Sequence, residues 1–336
     1  MEVLWFCVVI FMLTMYAILD GFDLGAGVIH LFLSRTEKER GSVLAAAGPF
    51  WDGNEVWLLL AGGALYCAFP AVYSAPGFYI LAVVLLWLLI LRGIGAVVRS
   101  RAERPSWRRV LDIGFGVSSL LLSVALGAAV ACVIRGVPPT GGSRTLNWFP
   151  VLCGVFALAC LTLESAAWMA LKSSGAWQRR CRSLASRVWW AVLFCYAAVT
   201  AASFAVQPHL LKNLQTYSWI SVFAVFALAG LIGARLCLSV GFDLGTFASA
   251  SCLIAGLLAS AAAGQFPYLL IGGARSLTVY NAGSAHVQLG SSAVWWITPF
   301  LLAIGYSVSV RRFGKQAADQ SRMANVHPQP MMTAGD

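Results

Sequence analysis

Residues 3–30 read VLWFCVVIFMLTMYAILDGFDLGAGVIH. Up to Leu19 the run carries no charge, and ten of its residues are Leu, Ile, Val or Phe. An apolar stretch of about 20 residues crosses the hydrocarbon core of a bilayer as a helix. Two aspartates then follow, Asp20 and Asp23, one turn apart and on nearly the same face. Each Asp at the centre of a spanning helix costs about 2.5–3.5 kcal/mol, so the pair costs about 5–7, while the apolar residues before it return about 3–6. With the two sides so nearly balanced, the acidic pair must face protein or water rather than lipid. Two uses stay open: proton handling or a partner contact, and an interfacial pair hydrogen-bonded to helix ends. Gly21, Gly25 and Gly27 would let a second helix approach closely. No basic residue or P-loop spacing accompanies them, so phosphate cradling is not implied.

The rest of the chain repeats the apolar theme. Of 336 residues, 60% are hydrophobic and 11% charged, against about 25% charged in a soluble domain. Further spanning runs lie near 55–73, 77–98, 112–134, 149–171, 187–207, 217–238, 245–270 and 292–311. The expectation is an all-α polytopic bundle of about nine transmembrane helices. One membrane domain covers 1–314, and a polar, disordered cytoplasmic tail covers 315–336. The net charge of +10 does not point to nucleic acid, because the basic residues sit between apolar runs. They crowd the loops after the first, third and fifth runs (Arg35, Lys38, Arg40; Arg99, Arg101, Arg104, Arg108, Arg109; Lys172, Arg179, Arg180, Arg182) and are sparse in the alternate loops. The positive-inside rule then puts the N-terminus outside and the C-terminus in the cytoplasm.

A second polar site stands at the start of the next run: Gly48-Pro49-Phe50-Trp51-Asp52-Gly53-Asn54-Glu55-Val56-Trp57. Pro49 and Gly53 favour a helix start here, with Asp52 as its cap. Asp52 and Glu55 would share a face, with Asn54 between them. Trp51 and Trp57 fit interfacial anchors. Arg92 inside the third run is a partner for an acidic group or a propionate. Glu164 inside the fifth run is a functional candidate by its position in the membrane, with snorkelling as the competing account. Only four histidines occur, His30, His209, His286 and His327, and only His30 lies near the acidic sites. A haem needs axial ligands buried on facing helices; apart from His30, a weak candidate, this chain offers none. The motif Gly21 to Gly25 recurs as Gly241-Phe242-Asp243-Leu244-Gly245, which reads as coincidence in a Gly- and Leu-rich chain.

Leu19 to Gly25 followed by Gly48 to Trp57, with Ala61-Gly62-Gly63-Ala64-Leu65 and Phe69-Pro70 beyond, resembles subunit II of cytochrome bd-type quinol oxidases. Weaker matches follow at Arg92-Gly93, Arg135 to Pro138, Leu171-Lys172 and Leu277 to Tyr280. The resemblance implies a respiratory complex in the bacterial inner membrane that oxidises quinol and reduces O2 to water, with protons drawn from the cytoplasm. It implies a partner, subunit I, that carries two haems b, a haem d and the quinol site. A small accessory subunit and a structural quinone are further expectations from the family. Asp52 is then associated with a proton route, and Trp57 with an oxygen route. Asp20, Asp23 and Glu55 join them as access candidates, and Trp51, Asn54, Arg92 and Glu164 as supporting or interface residues. No catalytic or metal-binding residue is assigned to this chain.

The stretch after Arg92 departs from the family pattern: Gly93 to Val98 holds no acid, and Asn281 stands where an Asp is usual. These departures suggest a divergent member, nearer the cyanide-insensitive branch. A different class of reading is a stand-alone proton-coupled transporter. Such proteins often show inverted repeats and helices broken near the midplane; here the acidic, Gly-rich segments cluster toward the basic side and no inverted repeat is visible.

Overall fold

The opening run folds as two helical segments divided at Asp20, α1 (Glu2–Leu19) and α2 (Gly21–Phe32), in a computed structural model. The structure describes residues 1–48, 51–75, 78–136, 148–272, 276–283, 301 and 304–305. Nine further helices follow: α3 (Glu37–Ala47), α4 (Trp51–Ala68), α5 (Phe78–Arg101), α6 (Pro105–Arg135), α7 (Trp148–Lys172), α8 (Gly175–Val206), α9 (Pro208–Thr216), α10 (Ser221–Val240) and α11 (Asp243–Gln265). Seven stretches among the described residues are long and apolar enough to cross a membrane, with α1 and α2 together forming the first. The polar start of α4 keeps it out of that set. The last expected run, 292–311, and the tail 315–336 lie outside the described residues apart from Leu301, Ile304 and Gly305. The all-α expectation needs one amendment: Tyr268–Leu270 and Leu277–Thr278 pair as a small antiparallel ribbon beyond α11.

Helix α7 is the hub. It packs against α2, α6, α8 and α11, while α1 lies on α4 and α11, α5 on α6, and α10 on α11. Lipid tails are as apolar as Leu, so helices gain little by merely hiding apolar surface; close packing must hold them together. The sequence supplies small residues where backbones meet. A Cβ on Gly25 would collide with the Leu161 carbonyl and the Ser165 side chain of α7, and one on Gly27 with Ser119 of α6. Gly127 meets the Cys153 carbonyl in the same way, and Gly256 meets the Ala227 backbone. The outward faces stay apolar and exposed, as at Leu59, Tyr79, Phe194 and Val240. A fold in water would bury such residues, and a fold in lipid leaves them on the outside.

The short helices do another job. α3 starts with a full capping box: Thr36 Oγ1 accepts from the Glu39 amide, and the Glu39 carboxylate accepts from the Thr36 amide. Two of the helix's orphan donors are thereby satisfied. Arg180 of α8 clamps α3 through Glu39 and the Leu33 carbonyl, and the Trp168 indole donates to the Ala46 carbonyl at 3.1 Å. The second copy of the five-residue motif sits in a different setting from the first. Gly241 adopts a left-handed turn (φ +73°) between α10 and α11, and Asp243 pairs with Arg182 at 2.7 Å.

Candidate functional site

Asp20 sits at the junction of α1 and α2 with none of its surface exposed. Arg92 reaches it from α5 and grips it with both terminal nitrogens, Nη2 to Oδ1 at 2.7 Å and Nη1 to Oδ2 at 2.9 Å. The same Nη1 lies 3.4 Å from Oε1 of Glu55 on α4. Arg92 is itself only 2% exposed, so this is a buried ion pair in a membrane helix bundle. The planar guanidinium fork suits a bidentate carboxylate contact. Arg92 thus has an acidic group as a partner, one of the two kinds expected for it.

Asp23, one turn on, is bonded differently. Nδ2 of Asn54 donates to its Oδ2 at 2.8 Å and to the Leu19 carbonyl at 2.7 Å, which ties α4 to the end of α1. Oδ1 of Asp23 has no partner among the described residues. Asp23 and Arg92 line a cavity of about 20 Å³ together with Leu44, Ala47, Gly48, Ala96 and Phe115. A space of that size holds one water molecule. Three carboxyls, one guanidinium and one amide from α1, α2, α4 and α5 thus form one polar network inside an apolar bundle.

Two expectations for the start of α4 need correction. α4 begins at Trp51, so Asp52 lies in its first turn rather than at the cap; the side chains of Trp51 and Asp52 fall outside the described residues. Trp57 is not an interfacial anchor. It is 3% exposed, with its ring edge-on to Phe11 at 6.2 Å between centroids, within the core formed by α1 and α4. An indole that looks amphipathic in sequence is buried here because Ala61, Ala64 and Ala68 let α4 lie close to α1.

Glu164 does not snorkel. It is wholly buried in α7, its Oε1 accepting from Ser251 of α11 at 2.6 Å, and its Oε2 without a partner among the described residues. That oxygen lies 2.8 Å from where a Cβ on Gly21 would stand. The glycine between the two aspartates therefore makes room for a third buried carboxyl.

His30 is buried at 1% exposure, its Nε2 2.7 Å from Oδ1 of Asp112 on α6. Asp112 also takes Arg40 Nη1 at 2.8 Å and the Arg99 guanidinium, and Arg99 reaches Glu37 at 2.9 Å. Sequence reading missed Asp112, Arg40 and Arg99 as a unit. The one available signal was an acid at the edge of the most arginine-rich loop. Of the two described histidines, His30 is held by Asp112 with its ring edge-on to Phe115 at 5.5 Å, and His209 sits edge-on to Tyr268 at 4.9 Å. Among the described residues no group of three or more His, Cys, Asp or Glu could hold a metal ion.

These features define a polytopic helical membrane protein built around a buried carboxylate–guanidinium network. The family model for cytochrome bd terminal oxidase subunit II matches residues 1–312, and the chain belongs to that family. It is 27% identical over 343 residues to cytochrome bd-I ubiquinol oxidase subunit 2 of Escherichia coli K12, covering 90% of each chain. To cytochrome bd ubiquinol oxidase subunit 2 of Bacillus subtilis 168 it is 28% identical over 319 residues, covering 91% of this chain and 93% of the relative. The bd oxidase structure from Geobacillus thermodenitrificans shares the fold, with a TM-score of 0.73 at 18% identity over 93% of this chain and 98% of that one. The chain is thus a multi-pass protein of the bacterial cytoplasmic membrane.

Proposed function

We propose that this chain is the proton-delivering subunit of a quinol:O2 oxidoreductase and holds no haem itself. The observation that carries the reading is the Asp20–Arg92–Glu55 and Asp23–Asn54 network, buried in apolar helices. Ionisable groups so placed are expensive and mark ion or proton pathways. Asp52 and Glu55, one turn apart at the start of α4, form the entrance, and Asp23 and Asp20 receive the proton. Trp57 lines the apolar side, along which O2 moves. Two haems b, a haem d and the quinol site belong to a separate subunit I, in keeping with the four histidines of this chain. A structural quinone in this chain and a small accessory subunit complete the complex. The full arrangement is nine spanning helices, with the N-terminus outside and the C-terminal tail in the cytoplasm, as the arginine-rich loops require.

The stand-alone transporter reading is not favoured, given the family and the fold. The test is quinol-dependent O2 consumption by the purified complex carrying Asp52→Asn or Asp23→Asn. Either change slows turnover by on the order of 10²-fold, the scale of a lost proton-transfer group, while the reduced-minus-oxidised haem spectrum stays as in the wild type. Normal turnover in both variants would remove the network from the proton path.

A further inference from the structure

At the arginine-rich end of α2 and α6 lies a groove of about 210 Å³ that the proton network does not use. It is lined by His30, Leu31, Arg40, Arg109, Asp112 and Ile113. Asp112 is fully engaged by His30, Arg40 and Arg99, so it offers little negative charge to a ligand. Two buried nitrogens and one guanidinium of the lining residues are left over. Nε of Arg40 is buried without a partner, and so is Nδ1 of His30, a side chain 1% exposed. Arg109 has no ion pair among the described residues. Buried polar nitrogens without partners are uncommon, because each costs a desolvation penalty. Two guanidiniums around one groove suit a phosphate oxygen, which accepts charge-assisted bonds in the plane of the fork.

We propose that this groove binds the headgroup of an anionic phospholipid. Its phosphate accepts from Arg40 Nε–H and from Arg109. With Nε2 of His30 donating to Asp112, Nδ1 is an acceptor, so the headgroup offers it a hydroxyl, as the glycerol of phosphatidylglycerol does. A lipid fits better than a free anion because of what continues from the groove. Ile113, Val117 and Leu121 recur every fourth residue on α6 and are all exposed, giving an acyl chain a stripe that starts at the binding groups.

Native mass spectrometry of the detergent-purified full complex tests this with three probes: phosphatidylglycerol, phosphatidylcholine and inorganic phosphate. The variants are Arg109→Gln and, as a control at the N-cap of the same helix but outside the groove, Arg104→Gln. Wild type and Arg104→Gln should retain phosphatidylglycerol in preference to phosphatidylcholine, and Arg109→Gln should weaken that retention at least about tenfold, the scale of one charge-assisted bond. Inorganic phosphate at equal concentration should not displace the lipid. Equal loss in both variants would mean a diffuse basic surface and would overturn the proposal. So would displacement by phosphate, which would mark a free-anion site, or equal retention of the two lipids.

Discussion

Replacing Arg92 by Gln removes the only guanidinium bonded to Asp20 among the described residues and leaves that carboxylate in a fully buried position. Breaking one side of a buried ion pair costs about 3–5 kcal/mol, because the remaining charge loses its compensation. Arg92→Lys keeps the charge but gives up the two-pronged geometry, and with it about 1.5–3 kcal/mol for one charge-assisted bond. The double variant Asp20→Asn/Arg92→Gln removes both charges. It should be destabilised by at least about 2 kcal/mol less than the sum of its two single changes, since neither side is left as a bare charge. The assay is equilibrium unfolding in mixed micelles of SDS, followed by circular dichroism, with free energies read from the transition midpoints. If the double variant equals the sum of the singles to within about 0.5 kcal/mol, Asp20 and Arg92 are not coupled, and the network as described is wrong.

Gly25→Ala places a methyl against the Leu161 carbonyl and Ser165; overpacking of this kind costs about 1–3 kcal/mol, read in the same unfolding assay, whereas Gly41→Ala, in open space within α3, meets no clash and gains up to about 1 kcal/mol of helix propensity. Glu164→Gln keeps an acceptor for Ser251 and should leave stability within about 1 kcal/mol, whereas Glu164→Leu leaves that hydroxyl only its 3.1 Å bond to the Phe247 carbonyl and costs about 0.5–1.5 kcal/mol for the bond lost. Thr36→Ala removes the cap of α3 and costs about 1 kcal/mol locally, seen as faster hydrogen exchange over 37–47. The same helix carries a pH signature. Desolvation works to raise the Glu39 pKa, but the Arg35 amide, the Arg180 side chain and the Thr36 amide outweigh it and hold the carboxyl below its ordinary value. A carboxyl depressed on folding stabilises above its unfolded pKa and loses that contribution as pH falls through the folded one. Exchange over 37–47, corrected for intrinsic rates, should therefore rise as pH falls below the usual carboxylate range, and Glu39→Gln should flatten that rise.

Much of this molecule can be read from its sequence because lipid imposes a simple rule on length and polarity. Eight of the nine apolar runs coincide with helices, each long enough to announce itself without any periodicity. The acidic break at Asp20 and the glycines around it also announce close packing, and Gly25 and Gly27 do lie against neighbouring backbone and side chains. What the sequence hid is pairing across space. Arg92 and Asp20 are 72 residues apart, and His30 and Asp112 are 82 apart; no local pattern links them, only the way α5 and α6 fold back on α2. Trp57 misled for a related reason. An indole is suited both to an interface and to a core, and the small residues further along its own helix, Ala61, Ala64 and Ala68, decide between them here by letting α4 lie close to α1. α3 and α9 were missed because they are too short and too polar to stand out as spans, and they take their stability from caps and tertiary contacts.

The most direct test of the central claim is proton uptake in a single turnover. The fully reduced complex carrying Asp23→Asn is mixed with O2, haem oxidation is followed by absorbance, and proton uptake by a pH dye in the medium. The account predicts that binding of O2 and the first electron transfers proceed at the wild-type rate while proton uptake, and any step that waits for it, slows by on the order of 10²-fold. Uptake at the wild-type rate in that variant, and likewise in Asp52→Asn, would contradict it.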